Sequence, residues 1–290
     1  MPNTQPPQIL TITLIGNDKA GVIARTTHLL FECGANIEGL EEQVTRGHFS
    51  MTLQASFSST SVPLEIVEAR LRALAAELEM ALTIRRVHTG PQRMGILVTK
   101  EPHCLRAILQ ATLSPTSGSP TLNTQPVVVI GNHPTLEPLA IEAGLPFYHV
   151  DFTDRKEAEK KTLNHLLDHD VDFIVLARFM KILSPDFVWR WKNKIINIHP
   201  SLLPSFPGAN AYRQAYEKGV KIAGATAHFV TPQLDEGPII AQEAFTIEPE
   251  DSIKDIVAKG QAAESKCLLR AIQIYLDQRY DIHWGKVFGV

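Results

Sequence analysis

Between residues 94 and 177 the runs MGILV, PVVVIG and FIVLA are apolar at nearly every position rather than at every second one, and KIINIHP is a further strand. A strand with one wet face alternates, whereas a run apolar on both faces belongs to a sheet covered on both sides. Helical spacing fills the intervals, around TLEPLAIEAG and through RKEAEKKTLNHLLDHD, with a short strand PFYHV between them. Strands alternating with helices predict an α/β fold with a doubly wound, mostly parallel sheet over residues 93–290. GATAHFVTPQLDEGPIIAQEAF adds two late strands, and SIKDIVAKGQAAESKCLLRAIQIYL is a long helix leading into a hairpin-like tail that ends at Val290.

Residues 1–88 follow a different rhythm. ILTITLIG alternates as a half-buried strand, and VIARTTHLLFECG repeats at helical spacing with Gly34 placed to cap its end. ANIEGLEEQVTRGHFSMTLQASFS reads as two strands joined at Arg46 and Gly47. SVPLEIVEARLRALAAELEMA is an amphipathic helix with Pro63 in its first turn and Leu64, Val67, Leu71, Leu74 and Leu78 on one face. LTIRRVH closes the set, giving the order βαββαβ of a ferredoxin-like domain. TGPQ, residues 89–92, is the linker.

Composition excludes several classes. Charged residues are 20% of the 290 and the formal net charge is −3, so nothing in the balance points to nucleic acid or an anionic membrane. No apolar run approaches the ~20 residues of a membrane span, and the start MPNTQPPQ is unlike a secretory leader. Cys33, Cys104 and Cys267 are scattered and odd in number, without disulfide or metal spacing. His103, His133, His149 and His228 also lack ligand spacing, so no metal is expected. These features predict a reduced, cytoplasmic protein.

The polar residues stand out where the last parallel strand runs out. Asn197 and His199 are two apart, hence on one face, and Pro200, Pro204 and Pro207 stiffen the chain after them. Open α/β sheets take ligands at the carboxyl ends of their strands. Asp235 follows in TPQLDEGPI, between apolar segments. An amide donor, an imidazole and a carboxylate together can polarise a carbonyl and activate a water. Spacing alone does not bring Asp235 to His199. His228 reads as a packed structural histidine or a flank of the site, and Lys221 and Arg213 as solvated charge or as ligand contacts near the motif. Met180 and Ile182, read by themselves, are core residues.

NIHPSLLPSFPG followed by GATAHFV and LDEGPIIAQ resembles the folate-dependent formyltransferase family. The resemblance implies Asn197, His199 and Asp235 as catalytic residues. Through ARFMKILS it implies Met180, Lys181, Ile182 and Leu183 at the folate, with Val230 and Leu234 of FVTPQLD on the other wall. LTITLIGNDKAGVIARTTHLLFECGANIEGLEEQ looks like an ACT domain, with Asp18, Ala20 and Gly21 at its effector turn. An ACT domain joined to this sheet domain, with LVTKEPHCL, VVIGNHPTLEPLA and VLARFMKILSPDFV, resembles the formyltetrahydrofolate deformylase family. That resemblance covers nearly the whole chain.

The deformylase reading implies hydrolysis of 10-formyltetrahydrofolate to formate and tetrahydrofolate, supplying formate for purine synthesis and balancing one-carbon folate pools, with no cofactor beyond the folate substrate. It also implies glycine or methionine as effector and a homodimer or homotetramer. In its support, LVTKEPHCLRAIL has no glycine between Val98 and Leu109, where glycinamide ribonucleotide transformylases carry a phosphate-cradling loop. Against it, Pro200 and Leu202 stand where deformylases usually carry a second histidine and a phenylalanine, and the ACT turn reads GNDKAG. The alternatives are a formyltransferase with another acceptor and a catalytically idle amino-acid or folate sensor. A methionyl-tRNA formyltransferase would carry a further C-terminal RNA-binding barrel.

Overall fold

The computed structural model describes residues 8–45, 47–58, 62–86, 90–114, 121–205, 210–283 and 285–289. Arg46 of the expected strand junction, Thr89 of the linker, Pro207 and Gly208 of the exit loop, and Val290 lie outside the described residues. The chain divides into two compact units, residues 1–89 and 90–290.

The first unit runs β1 (Gln8–Asn17), α1 (Val22–Glu32), β2 (Ala35–Thr45), β3 (His48–Phe57), α2 (Leu64–Glu77) and β4 (Ala81–Arg86). Its sheet has the order β2-β3-β1-β4 with every pairing antiparallel. Alternation along β1 sends Leu10, Ile12 and Leu14 to one face, where they meet Val22 and Leu30 of α1 and Val67 and Leu71 of α2. Gly34, at φ 76°, ends α1 and donates its N–H to the Phe31 carbonyl. Pro63 is not in the first turn of α2: it stands just before Leu64 in an extended conformation, where its missing N–H leaves no helical bond unmade.

The second unit contains β5 (Gln92–Val98), α3 (His103–Leu113), β6 (Thr124–Gly131), α4 (Glu137–Glu142), β7 (Phe147–His149), α5 (Arg155–Asp168) and β8 (Phe173–Ala177). These are followed by α6 (Pro185–Arg190), β9 (Ile195–His199), α7 (Ala211–Glu217), β10 (Ile222–Phe229), β11 (Ile239–Thr246), α8 (Ile253–Asp277) and a hairpin of β12 (Asp281–His283) and β13 (Lys286–Phe288). The seven-stranded sheet has the order β11-β10-β9-β8-β5-β6-β7. It is parallel from β7 to β9, while β10 runs antiparallel to both β9 and β11. The chain builds outward from β5 in one direction and then from β8 in the other, so the topological switch lies between those two strands.

Burial on both faces accounts for the continuous apolar runs. Met94, Ile96, Phe173, Val175, Ile196 and Ile198 pack with Cys104 and Ile108 of α3 and with Cys267 and Leu268 of α8. Leu97, Ile174, Leu176 and Ile195 turn the other way, against Ala158 of α5 and Phe187 of α6. Helix α8 starts on a capping box, Ser252 accepting from the Asp255 N–H while Asp255 accepts from that of Ser252. No helix among the described residues is long and apolar enough to cross a membrane.

Phe173 sits at the centre of this packing, fully buried, with its ring centroid 4.7 Å from that of Tyr275. Phe173→Ala should therefore remove about 3–5 kcal/mol from the second unit's unfolding free energy, measured by denaturant titration. A loss below about 1 kcal/mol would mean that the core is not organised around it.

Candidate active site

The site is assembled by strand register. β10 lies antiparallel to β9 with Thr226 opposite His199 and His228 opposite Asn197. Side chains in directly opposed pairs touch, and the Asn197 Nδ2 donates to His228 Nε2 at 3.1 Å. On the other side of the ring, His228 Nδ1–H donates to the Phe229 carbonyl at 2.9 Å. Those two bonds specify one tautomer, with the proton on Nδ1 and an acceptor at Nε2. Burial lowers the His228 pKa and keeps the ring neutral, outweighing the opposing pull of the Phe229 carbonyl and Asp235. A neutral acceptor on one side holds the Asn197 amide with its NH2 group turned the same way.

Asp235 arrives from the β10–β11 connection. Its backbone is left-handed, at φ 57°, and its Oδ2 lies 3.4 Å from His199 Nδ1 while Oδ1 lies 3.9 Å from His228 Nε2. The first distance is longer than a closed N–H···O bond, as catalytic pairs often are before substrate arrives. With Nδ1 turned to the carboxylate, Nε2 is the atom on the far side of the His199 ring. The turn depends on Gly237, because a Cβ there would lie 1.7 Å from the Phe229 carbonyl oxygen. The β10–β11 register shifts between Ala227 and His228.

The loop after His199 is held by more than its prolines. Thr226 Oγ1 donates to the Ser201 carbonyl at 2.7 Å and accepts from the Leu203 N–H at 2.9 Å. Gln242 Nε2 donates to the Leu203 carbonyl and to Thr226 Oγ1.

Asn197, His199 and Asp235 face one cavity of about 250 Å³. All six residues expected at the folate, Met180, Lys181, Ile182, Leu183, Val230 and Leu234, line it. Met180 is 53% and Ile182 58% exposed, so neither is the core residue that its apolar side chain alone suggests. Their loop is pinned at both ends. Thr99 Oγ1 accepts from the Met180 N–H at 2.9 Å, and Glu159 accepts from the Ser184 N–H at 2.6 Å and from the Ser184 hydroxyl. Arg213 and Lys221 are exposed and outside this cavity, so they are surface charges.

Two further residues belong here: His228, which the sequence left between a packed structural histidine and a flank of the site, and Arg178, which the sequence did not single out. His228 is part of the centre because register puts it against Asn197; the signal was its place within an apolar strand next to the one ending at His199. Arg178 also lines the cavity, and its Nε lies 3.2 Å from Oε2 of the buried Glu264. The ligand-type atoms of His103, Cys104 and Glu264 fall within 4.8 Å of one another, a grouping that linear spacing cannot reveal. The cation at that carboxylate in the structure is the Arg178 guanidinium.

In the first unit, Asp18, Ala20 and Gly21 form the exposed turn between β1 and α1. The Asp18 N–H is given to the Gly47 carbonyl, and Gly21, at φ 89°, opens the helix in a conformation that suits glycine.

Known proteins resemble this chain in both of its units. The formyl transferase family model matches residues 92–272, and an ACT domain model matches residues 8–85. A formyltetrahydrofolate deformylase of Bacillus subtilis (strain 168) is 36% identical over 274 residues, covering 93% of this chain and 89% of that protein. The crystal structure of a formyltetrahydrofolate deformylase from Pseudomonas syringae pv. tomato superimposes with a TM-score of 0.64 at 30% identity, covering 98% of this chain and 94% of that one. Glycinamide ribonucleotide transformylase 1 from Symbiobacterium toebii gives a TM-score of 0.63 at 34% identity, covering 69% of this chain and 94% of that one. The sheet domain is thus of the formyl transferase class, and the deformylases match both units. The chain belongs to the formyltetrahydrofolate deformylase family.

The neutral His228 has a pH signature. Its pKa is depressed in the folded state, so between that value and the ordinary 6.5 the unfolded chain binds more protons. This contribution to stability is complete above about pH 6.5 and is lost as pH falls toward the folded pKa. Wild-type protein should therefore lose more stability than His228→Gln between about pH 7.5 and 5.5, measured by denaturant midpoints. Equal losses would contradict a neutral, desolvated ring.

Proposed function

We propose that this chain hydrolyses 10-formyltetrahydrofolate to formate and tetrahydrofolate. The observation that carries the reading is that one cavity is walled by the six folate positions and by the amide, imidazole and carboxylate of Asn197, His199 and Asp235. The folate ring system lies between the loop of Met180 to Leu183 and the segment of Val230 to Leu234, which presents the N10-formyl group to the ends of β9 and β10.

Water attacks the formyl carbon, forming a C–O bond and turning the carbonyl oxygen into an oxyanion. Asn197 has one N–H committed to His228 and a second to give to that oxyanion. Asp235 orients His199 through Nδ1, and together they position the water and accept its proton. His199 Nε2 is placed to deliver that proton to N10 as the C–N bond breaks, so that tetrahydrofolate leaves neutral at N10, and the formic acid left behind gives its remaining proton to solvent and departs as formate. Each step uses protein groups and water, and no metal or organic cofactor is required.

Water is favoured as the acceptor because the deformylase likeness extends through both units and because the loop after β5, residues 99–102, has no glycine with which to cradle a phosphate. That loop is tied down instead, Glu101 accepting from Gln261 Nε2 of α8 at 3.1 Å. The enzyme would act in the cytoplasm, releasing formate for purine synthesis and balancing the one-carbon folate pool. The ACT unit would bind a small amino acid, glycine or methionine, at the turn of Asp18, Ala20 and Gly21, in a homodimer or homotetramer.

Incubating the protein with 10-formyltetrahydrofolate and no amine should release formate. Asn197→Ala should lower turnover by roughly 10²–10³, and His199→Ala and Asp235→Asn should also cripple it, with folate binding largely retained in all three. Formyl transfer that needs an added amine acceptor would move the assignment to a transferase.

A further inference from the structure

Arg178 takes no part in the steps above, yet it is built into the same cavity with unusual care. β8 and β9 run parallel with Leu176 opposite Asn197, so two residues further on Arg178 is level with His199. Strand alternation would send residue 178 to the side of Ile174 and Leu176, toward α5 and α6. Its left-handed backbone, at φ 62°, breaks the alternation, and the side chain instead meets Glu264 of α8. Such a conformation costs a residue with a Cβ on the order of 1 kcal/mol or more.

Glu264 is only 1% exposed, and both its oxygens are engaged. Tyr212 Oη donates to Oε1 at 3.0 Å, and Oε2 faces His103 Nε2 at 3.0 Å and Arg178 Nε at 3.2 Å. Tyr212 reaches the carboxylate across Gly260, one helical turn earlier, where a Cβ would lie 2.3 Å from the ring. The carboxylate is therefore an anchor fixed by three side chains, and it holds the guanidinium from behind.

A guanidinium has five N–H donors. Nε faces Glu264, and no group among the described residues accepts a hydrogen bond from Nη1 or Nη2. The ion pair has its negative end on α8, and its positive end belongs to a residue that lines the cavity. The Arg178 side chain is 17% exposed, so that end acts where water screens it weakly. It also stands beside the switch between β5 and β8, the crevice where open α/β sheets take ligands. A planar fork with unspent donors matches a carboxylate in two-point geometry.

The small carboxylate that the proposed reaction makes in this cavity is formate. Asp235 repels a second carboxylate at the point where it forms, and the guanidinium attracts it. We propose that Arg178, anchored by Glu264, is a formate site in the catalytic cavity, which receives the product once the bond to N10 has broken. The proposal rests on the hydrolase reading.

Titration of the free protein with [13C]formate, read by NMR line broadening, tests the site without needing turnover. Product inhibition by formate and by tetrahydrofolate tests it during catalysis. Arg178→Lys keeps the charge but not the fork, and the double variant Arg178→Gln/Glu264→Gln removes both charges so that neither is left buried alone. The double variant should weaken formate binding and formate inhibition by roughly tenfold or more, and Arg178→Lys by less, with tetrahydrofolate inhibition unchanged. Formate affinity equal to wild type in the double variant would overturn the proposal. So would an equal weakening of tetrahydrofolate inhibition, which would assign Arg178 to the folate. Formate binding that depends on Arg178 in a protein that releases no formate from 10-formyltetrahydrofolate would uphold the anion site and overturn the hydrolase reading.

Discussion

β9 and β10 are paired so that Asn197 faces His228 and His199 faces Thr226, and the geometry of the candidate site follows from that register. A slip of one residue would turn Asn197 and His199 to the opposite face of the sheet. In the observed register the His228 ring, neutral and protonated on Nδ1, gives the Asn197 NH2 an acceptor and fixes which way the amide points. Thr226, from the position opposite His199, holds the loop that leaves the site. Gly237 then lets the chain pass against the Phe229 carbonyl, and Asp235 comes back over His199.

Two carboxylates, one on the β10–β11 connection and one on α8, stand near one cavity with different surroundings. Asp235 lies against two imidazoles, and the proposed mechanism gives it a part in the chemistry. Glu264, on α8, is enclosed by Tyr212, His103 and Arg178 and touches the cavity through the arginine alone. Buried ion pairs are weak sources of stability, since desolvation offsets most of their attraction. A pair of this kind, joined to a left-handed residue at a strand end, makes more sense as a means of presenting charge to a ligand. Asp235 is held by the connection between the antiparallel strands β10 and β11, and Glu264 by helix α8 packed on the sheet.

The fold was legible wherever the apolar pattern was long. The parallel strands, α5, α8 and the βαββαβ order of the first unit all carry periodicity over enough residues to be read. Helices α6 and α7, of six and seven residues, are too short to show a period, and α3 lay hidden in a stretch noted mainly for its lack of glycine. Within the site, Asn197 and His199 were legible because they are two apart on one strand. Asp235 could be joined to them from sequence only through family resemblance, because its approach depends on a turn whose geometry no spacing encodes. His228 and Arg178 were harder still. One is a matter of inter-strand register, and the other of a backbone conformation that reverses the face its position implies. The partnership of Arg178 with Glu264, 86 positions away, is purely tertiary.

The central claim is that this cavity directs water, and not an amine, to the formyl carbon. It is tested most directly by turnover of 10-formyltetrahydrofolate in H2(18)O with mass analysis of the products. Hydrolysis predicts formate carrying one oxygen-18 atom at early times and tetrahydrofolate carrying none. Formate without label, or a formyl group recovered on an amine, would contradict it.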